Sequence, residues 1–293
     1  MNYDQKYSAY LEKIEQALGE CCAELLPETS RVCQAARYSL LAGGKRVRAI
    51  LTLAACELLG GNEAAALRFA CAVEMLHCYS LIHDDLPCMD NDDMRRGKPS
   101  CHKAFGEATA LLAGDALLTE AFEAIAGAPA CAETKARAAL ALAAGAGSKG
   151  MVWGQELDLR CEGQPVSEET LRLIHANKTG ALINAAVQLG AAAALAGEPD
   201  CAALRAYALD LGLVFQIVDD VLDVTSTSEE LGKPAGSDAS NEKTTFATLY
   251  GSEGARELAR SINENACSAL RAGYGEKADF LVQLAQTLLC RRS

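Results

Sequence analysis

The sequence predicts an all-α protein. Ala, Leu and Glu, which favour helix, are abundant, and the 293 residues include only 7 prolines. Hydrophobic residues make up 50% of the chain and charged residues 23%, a composition that supports a sizeable core and argues against disorder. Because no composition shift marks a linker and no internal repeat is evident, we expect one large domain over residues 1–293.

The first part of the chain reads as a series of amphipathic or buried helices. Apolar residues at helical spacing predict helices over 3–18, 31–41, 50–59 and 63–85. Gly43 and Gly44 end the second of these. Lys45, Arg46 and Arg48 follow at once, so three cations at one helix junction can reach the same anion.

The stretch 81–97, LIHDDLPCMDNDDMRRG, is the most unusual part of the sequence. Carboxylates and arginines are concentrated in and near it: Glu74, Asp84, Asp85, Asp90, Asp92 and Asp93 with Arg95 and Arg96. Such a cluster repels itself unless a cation binds, and Mg²⁺ takes oxygen ligands that substrate phosphates complete. The guanidinium groups match phosphate oxygens. A solvated acidic loop is the alternative interpretation.

A loop at 97–99 precedes a helix from 108, and residues 145–150 separate further helices. Gln155 and Asp158 share one helix face and back the predicted site. Lys178 lies in an apolar helix, where a lysine needs an anionic partner such as a diphosphate. We expect a helix over 204–224, a mobile loop over 225–242 and a final amphipathic helix over 257–289.

A second acidic cluster, FQIVDDVLD at 215–223, lies inside the apolar helix 204–224. Asp219 and Asp223 are four residues apart and share a helix face, with Asp220 at its edge. Unpaired carboxylates are unfavourable in such a buried helix. Two clusters of this kind make chemical sense if they face each other across a cavity and share metal ions and a diphosphate.

These residues resemble the motifs of the trans-prenyltransferases, specifically the short-chain isoprenyl diphosphate synthases. Asp84-Asp85 with Asp90 is similar to the longer first aspartate motif of bacterial farnesyl diphosphate synthases, and Asp219-Asp220-x-x-Asp223 is similar to the second motif. The similarity extends from Gly43 to Thr245. It implies an isoprenoid-synthase helical bundle with a central cavity, and a homodimer. Trp153 stands where the family has a glycine, which puts local packing in doubt.

The resemblance also implies roles for individual residues. Metal ligation, by several Mg²⁺ ions or by Mn²⁺ in their place, falls to Asp84, Asp85, Asp90, Asp219, Asp220 and Asp223. Isopentenyl diphosphate binding falls to Gly44, Lys45, Arg48, His77 and Arg96. Allylic diphosphate binding falls to Arg95, Lys178, Thr179, Gln216, Lys233 and Lys243. The catalytic residues are Asp84, Asp85, Lys178 and Asp219.

The implied reaction is the head-to-tail condensation of isopentenyl diphosphate with dimethylallyl and geranyl diphosphate, through metal-assisted ionisation to an allylic carbocation. Tyr79 lies five residues before Asp84, roughly 7.5 Å along the helix at about 1.5 Å per residue. Its ring can form the floor of the cavity, whereas Ser80 is too small to do so. Since the resemblance implies that bulk at this place sets chain length, this ring and the longer first motif together favour farnesyl diphosphate (C15) as product over geranylgeranyl diphosphate (C20).

Other functions remain open at this stage. A terpene cyclase would carry Asn, Ser or Thr, and Glu in its second motif, where this chain has aspartates. A metal phosphohydrolase would require more histidines than the 4 present. A di-iron bundle needs two Glu-x-x-His motifs, of which Glu74 to His77 is one. An inactive partner subunit is disfavoured because both aspartate motifs are intact.

Composition limits the partners. A net charge of −12 argues against nucleic acid, and the sequence has no apolar stretch long enough to favour stable membrane insertion. The N-terminus lacks a signal pattern, so we expect a cytoplasmic protein. The 13 cysteines are scattered without a CxxC pair, which predicts reduced side chains that act as small core hydrophobes.

Overall fold

The structure, a computed structural model, describes residues 2–225 and 243–291. It is all-α with the isoprenoid-synthase fold, as predicted. The described α-helices are α1 (Tyr3–Leu25), α2 (Arg31–Leu40), α3 (Val47–Leu58), α4 (Glu63–Asp84), α5 (Cys101–Phe105), α6 (Glu107–Ala126), α7 (Ala132–Ala146), α8 (Met151–Cys161), α9 (Glu168–His175), α10 (Ala181–Ala193), α11 (Glu198–Thr225), α12 (Phe246–Tyr274) and α13 (Asp279–Leu289). A π-helix (Ala176–Gly180), a 3₁₀ helix (Gly275–Ala278) and a hairpin of β1 (Met94–Arg95) and β2 (Lys98–Pro99) complete the described structure.

The chain divides into two compact units. The first comprises Met1–Leu140 and Leu189–Leu195, and the second comprises Ala141–Gln188 and Ala196–Ser293. The first aspartate motif belongs to the first unit and the second motif to the second unit. A single domain over the whole chain stays a prediction.

Helix α4 is the central element of the first unit. It packs against α1, α2, α3 and α6, and most of its residues between Ala65 and Ile82 are buried. The end of α10 approaches α3 closely, because a Cβ at Gly190 would lie only 2.7 Å from the Cβ of Ala55. Large side chains that fill this core are Ile14, Leu18, Phe69, Met75, Leu76, Leu117 and Ile125.

Arg46 is a structural residue of this unit. Its backbone is left-handed, with φ +48°, and its side chain is 1% exposed. The guanidinium donates to Glu15 Oε1 at 2.7 Å, to Glu74 Oε2 at 3.3 Å and to a backbone carbonyl, while Glu74 Oε1 accepts from the Ala49 amide. The expectation that Arg46 joins Lys45 and Arg48 around one anion is therefore wrong. Glu74 likewise pairs with Arg46 and lies apart from the acidic cluster of 84–93.

The second unit is built on α11 packed against α12. The apolar faces of the two helices form one core, composed of Leu171, Val214, Ile217, Val218, Val221, Leu222, Phe246, Ala247, Ala255 and Ala259. Helix α12 begins at a capping box in which Thr245 and Thr248 exchange hydrogen bonds, and it is kinked at Gly251, where φ is +69°. The predicted helix over 257–289 is thus two helices separated by a 3₁₀ turn.

Several boundaries differ from the predictions. Helix α3 starts at residue 47 instead of 50, and α11 starts at residue 198 instead of 204. Helix α5 and the β1–β2 hairpin occupy a stretch predicted to be a loop. The hairpin turns through Arg96 and Gly97, both with positive φ, and such tight turns have no signal in apolar periodicity. The predicted loop over 225–242 lies almost entirely outside the described residues.

Two further expectations concern the interior. All 13 cysteines lie within the described ranges and are free, and the seven that are buried act as core hydrophobes, as predicted.

Helices α4 and α11 are long and apolar enough to cross a membrane, with 72% and 44% of their most apolar windows buried. Core helices of folded proteins meet the same criteria, so these two are weak indications, and the absence of stable membrane insertion stays a prediction.

The Arg46–Glu74 pair generates a prediction about stability. Glu74→Gln removes the charge that compensates a buried guanidinium, so we expect the free energy of unfolding to fall by about 3 kcal/mol, measured by urea denaturation. The control is Glu15→Gln, which removes the more exposed partner of the same arginine and should lower stability by about 1 kcal/mol. Equal losses in the two variants would contradict the assignment.

Candidate active site

The first aspartate motif lies at the C-terminal end of α4. Asp84 is the last residue of the helix, and Asp85, which caps it, is 2% exposed. Arg95 donates through Nε to Asp85 Oδ1 at 3.0 Å and through Nη2 to the same oxygen, and it also donates to Asp92 at 3.0 Å. Burial raises the pKa of the Asp85 carboxyl above its ordinary value, and Arg95 partly reverses this. The hairpin thus supplies the cation that pairs with this buried carboxyl group.

The chain returns to the helix end after Pro87. The Asp90 amide donates to the Asp84 carbonyl at 2.8 Å, so the backbone of Asp90 lies beside the first aspartate, and its side chain is exposed. Pro87 disfavours a helical backbone at the residue before it, which accounts for this turn. A cavity of about 30 Å³, which is large enough to hold water, lies next to Asp85 and Arg95.

Arg48 and Arg96, two of the residues predicted to bind isopentenyl diphosphate, lie near His77, which is a third. Arg96 donates through Nη1 to the Gly43 carbonyl, and a Cβ at Gly44 would lie 3.0 Å from Arg96 Cζ. Gly44 also has φ +137°, which a residue with a side chain rarely adopts. Burial lowers the pKa of His77 well below its ordinary value, and the guanidinium groups of Arg48 and Arg96 act in the same direction. The imidazole is therefore neutral at neutral pH, and Lys45 lies exposed on the adjoining turn.

Tyr79 and Ser80, the two residues considered for the cavity floor, are both buried but make different contacts. The Tyr79 ring is 9% exposed and packs edge-on against the His83 ring, with centroids 5.4 Å apart. Ser80 is equally buried, and its hydroxyl donates to the His77 carbonyl at 2.8 Å. Tyr79 thus adds bulk beside the helix turn that carries Asp84, whereas Ser80 is bonded to its own helix.

In the second unit, the Asp158 carboxylate pairs with Lys178 and Lys243, the two lysines of the predicted allylic site that the structure describes. Lys178 Nζ donates to Asp158 Oδ2 at 2.7 Å, and Lys243 Nζ donates to the same oxygen at 3.3 Å. Burial by itself would raise the pKa of Asp158, but the two ammonium groups outweigh it and hold that pKa below its ordinary value. Asp158 therefore brings two ammonium groups close to one carboxylate oxygen. Lys233 lies outside the described residues.

Lys178 and Thr179 lie in the π-helix that joins α9 to α10. Such short π segments are frequent at functional sites because the extra residue changes the direction of nearby side chains. Helix α8 approaches this segment at Gly154, where a Cβ would lie 2.5 Å from the Lys178 Cα. Trp153 is half-buried beside it. The glycine that the close approach requires is thus at 154, which answers the doubt raised by the tryptophan at 153.

A chain of hydrogen bonds connects the π-helix to the second aspartate motif. Thr179 donates to Gln216 Oε1 at 2.7 Å, and Gln216 Nε2 donates to Asp219 Oδ2 at 3.3 Å. The other oxygen of Asp219 accepts from Arg291 Nη2 at 2.6 Å. The structure therefore links Thr179, Gln216 and Asp219 through hydrogen bonds. Sequence reasoning missed Arg291, because an arginine near a chain end has no periodic or motif signal.

Asp220 and Asp223 are more buried than Asp219, at 6% and 4% exposed. The Asp220 carboxylate accepts from the Phe246 amide at 2.7 Å, at the first turn of α12, and lies 3.7 Å from His175 Nε2. The His175 ring in turn stacks on Phe246. Asp220 thus also ties α11 to the start of α12, a structural role that the sequence did not indicate.

The carboxylates suit Mg²⁺ in chemistry but are not arranged as a closed metal site. Within residues 2–225 and 243–291, no group of three or more His, Cys, Asp or Glu side chains is placed to hold a metal ion. Mg²⁺ is commonly bound through one or two carboxylates, with water and substrate phosphates completing its shell. The oxygen donors of Asp84, Asp90 and Asp219 fit that mode of binding.

Known proteins resemble this chain in both sequence and structure. The polyprenyl synthetase family model matches residues 29–277. The chain is 50% identical over 282 residues to a chloroplastic geranylgeranyl pyrophosphate synthase of Capsicum annuum, covering 95% of this chain and 76% of the relative. Among solved structures, it is similar to an FPP/GFPP synthase of Zymomonas mobilis (TM-score 0.85, 36% identity, 97% and 99% of the chains) and a geranyltransferase of Legionella pneumophila (TM-score 0.86, 38%, 99% and 97%).

The approach of α8 to the π-helix generates a prediction. Gly154→Ala places a methyl group against the Lys178 backbone, so we expect a loss of stability of about 1–3 kcal/mol from overpacking, measured by urea denaturation. The control is Gly273→Ala on α12, where no atom lies within 4 Å of the added Cβ and helix propensity favours alanine by up to about 1 kcal/mol. Equal stability of the two variants would show that the close approach is not required.

Proposed function

Because the chain belongs to the polyprenyl synthetase family and is a prenyltransferase that elongates prenyl diphosphates, we propose that its product is farnesyl diphosphate. Isopentenyl diphosphate would condense head to tail with dimethylallyl and then geranyl diphosphate. The observation that carries the proposal is the buried ring of Tyr79 on the helix that ends at Asp84. The name of the Zymomonas mobilis structure, an FPP/GFPP synthase, also supports C15.

The residues of the second unit act on the leaving diphosphate in this proposal. An ammonium group has three donors, so Lys178 and Lys243 can bind phosphate oxygens while each keeps its bond to Asp158. Their charges are fixed before substrate arrives, so little reorganisation is needed as the carbon–oxygen bond breaks. Thr179 and Gln216 orient the Asp219 carboxylate beside them.

We propose Mg²⁺ as the cofactor, held by Asp84, Asp85 and Asp90 in one unit and by Asp219, Asp220 and Asp223 in the other, with Mn²⁺ as a substitute. When bound, Mg²⁺ would stabilise negative charge on the departing diphosphate. Since Arg95 pairs with Asp85 in the structure, its guanidinium would serve both that carboxylate and the allylic diphosphate. The number of ions stays open.

The residues around His77 bind the second substrate in this proposal. Lys45, Arg48 and Arg96 supply positive charge for isopentenyl diphosphate, and Gly44 admits the Arg96 side chain at its own backbone. A neutral His77 can donate one hydrogen bond to a phosphate oxygen without adding a further charge to this cationic group. The homodimer and the cytoplasmic location implied by the sequence analysis stay predictions.

A C20 product is the second candidate. The relative from Capsicum annuum is named a geranylgeranyl pyrophosphate synthase, at 50% identity, and a relative from Catharanthus roseus carries the same name at 50% identity over 272 residues. Incubation of the purified protein with isopentenyl diphosphate and each of dimethylallyl, geranyl and farnesyl diphosphate, followed by chromatography of the products, separates the two. Elongation of farnesyl diphosphate at a rate comparable to the others would overturn C15.

Loss of either aspartate motif should abolish elongation. We expect Asp84→Asn and Asp219→Asn each to lower kcat by about 10²–10³ or more, because each removes a group that stabilises charge in the transition state. Radiolabelled isopentenyl diphosphate measures the rate. Glu133→Gln, which removes one carboxylate from an exposed ion pair on α7, is the control and should keep full activity. Near-normal turnover in either aspartate variant would contradict the proposed site.

Removal of the Tyr79 ring should lengthen the product. Tyr79→Ala opens the space beside α4, so the growing chain can pass residue 79, and we expect C20 and longer products by chromatography. Tyr79→Phe keeps the bulk without the hydroxyl and should still stop at C15. If the alanine variant stays active and makes only C15, Tyr79 does not form the floor.

A further inference from the structure

Arg291 lies just beyond α13 and is bound to α11 through three contacts. Its guanidinium carbon lies 3.7 Å from the centroid of the Phe215 ring, which is cation–π geometry. Nη2 donates to the Phe215 carbonyl at 2.8 Å and to Asp219 Oδ1 at 2.6 Å. The side chain is 10% exposed.

The ion pair engages the most exposed carboxylate of the second motif. The Asp219 side chain is 40% exposed, so a cation in solution can reach this carboxylate. Arg291 already neutralises that oxygen, while Oδ2 accepts from Gln216. A divalent cation that coordinates Oδ1 would lie close to a fixed guanidinium, and two cations at one oxygen repel each other.

The stacking on Phe215 does not depend on Asp219. The ring binds the face of the guanidinium, and the carbonyl of Phe215 accepts from the same Nη2. Arg291 can therefore release Asp219 and stay on α11.

We propose that Arg291 is a positioning residue that holds Asp219 when no metal is bound and competes with a divalent cation for its Oδ1, so that Arg291 sets the metal affinity of the second aspartate motif. This inference rests on the proposed function, in which Asp219 is a metal ligand. In the elongation cycle, the arrival of metal with diphosphate supplies a cation for Asp219 and an anion for the released guanidinium.

The test measures Mn²⁺ binding to the full chain without any substrate, by the electron paramagnetic resonance signal of free Mn²⁺. Arg291→Gln removes the competing charge, and we expect the Kd for Mn²⁺ to fall by about tenfold. Arg291→Lys keeps a cation near Asp219 and should stay close to the wild type. The control is Arg271→Gln, which removes an exposed arginine paired with Asp279 and should leave the Kd unchanged.

Asp219→Asn separates this inference from the proposed function. Weaker Mn²⁺ binding in Asp219→Asn together with an unchanged or higher Kd in Arg291→Gln would overturn the role of Arg291 while leaving the metal site intact. Unchanged binding in Asp219→Asn would overturn the metal-ligand role of Asp219, and the inference with it. In the Asp219→Asn background, Arg291→Gln should have no further effect.

A second measurement uses the wild-type protein, so it does not depend on whether the variants fold. In protein labelled with ¹⁵N-arginine, the Arg291 side-chain resonances, assigned from the spectrum of Arg291→Lys or another variant that folds, should shift as Mg²⁺ is added, because the Asp219 contact is lost. Resonances that stay unchanged while Mg²⁺ saturates the protein would overturn the competition.

Discussion

A charged side chain buried between helices must be compensated by another group of the protein, and this requirement governs the arrangement of ionisable residues here. Asp85 is paired with Arg95, Asp158 with two lysines, and Asp219 with Arg291. In each case the partners come from different segments of the same unit. Loss of one partner would leave the other uncompensated, so these pairs hold the surrounding segments in place as well as the side chains.

The same pairs are suited to exchange partners with ligands. Two of the anions, Asp85 and Asp219, are proposed to bind metal, and the cations include those proposed to bind diphosphate. A metal–diphosphate complex carries both signs of charge, so it can supply partners to these side chains when it binds. This explains how a chain with net charge −12 can bind an anionic substrate, since the local balance of charge matters more than the total.

Helix α4 fixes the spacing of several residues of the candidate site. His77, Tyr79 and Asp84 lie on one helix whose buried face is fixed by α3 and α6, so their spacing along the axis follows from helix geometry alone. The C-terminal end of a helix also carries partial negative charge, which adds to that of Asp84 and Asp85 and increases the need for a cation there. The π-helix has the matching role in the second unit, where it presents Lys178 and Thr179.

The sequence by itself determined the all-α class, the helices that carry both aspartate motifs and the reduced cysteines, because periodicity, composition and motif spacing are local properties. Only the tertiary structure decided which charge pairs with which. Arg46 belongs to Glu74, both described lysines of the allylic group share Asp158, and Arg291 reaches Asp219 across 72 residues of chain. Such partners are chosen by the packing of distant segments, and the energy that selects them depends on burial, which no local pattern encodes.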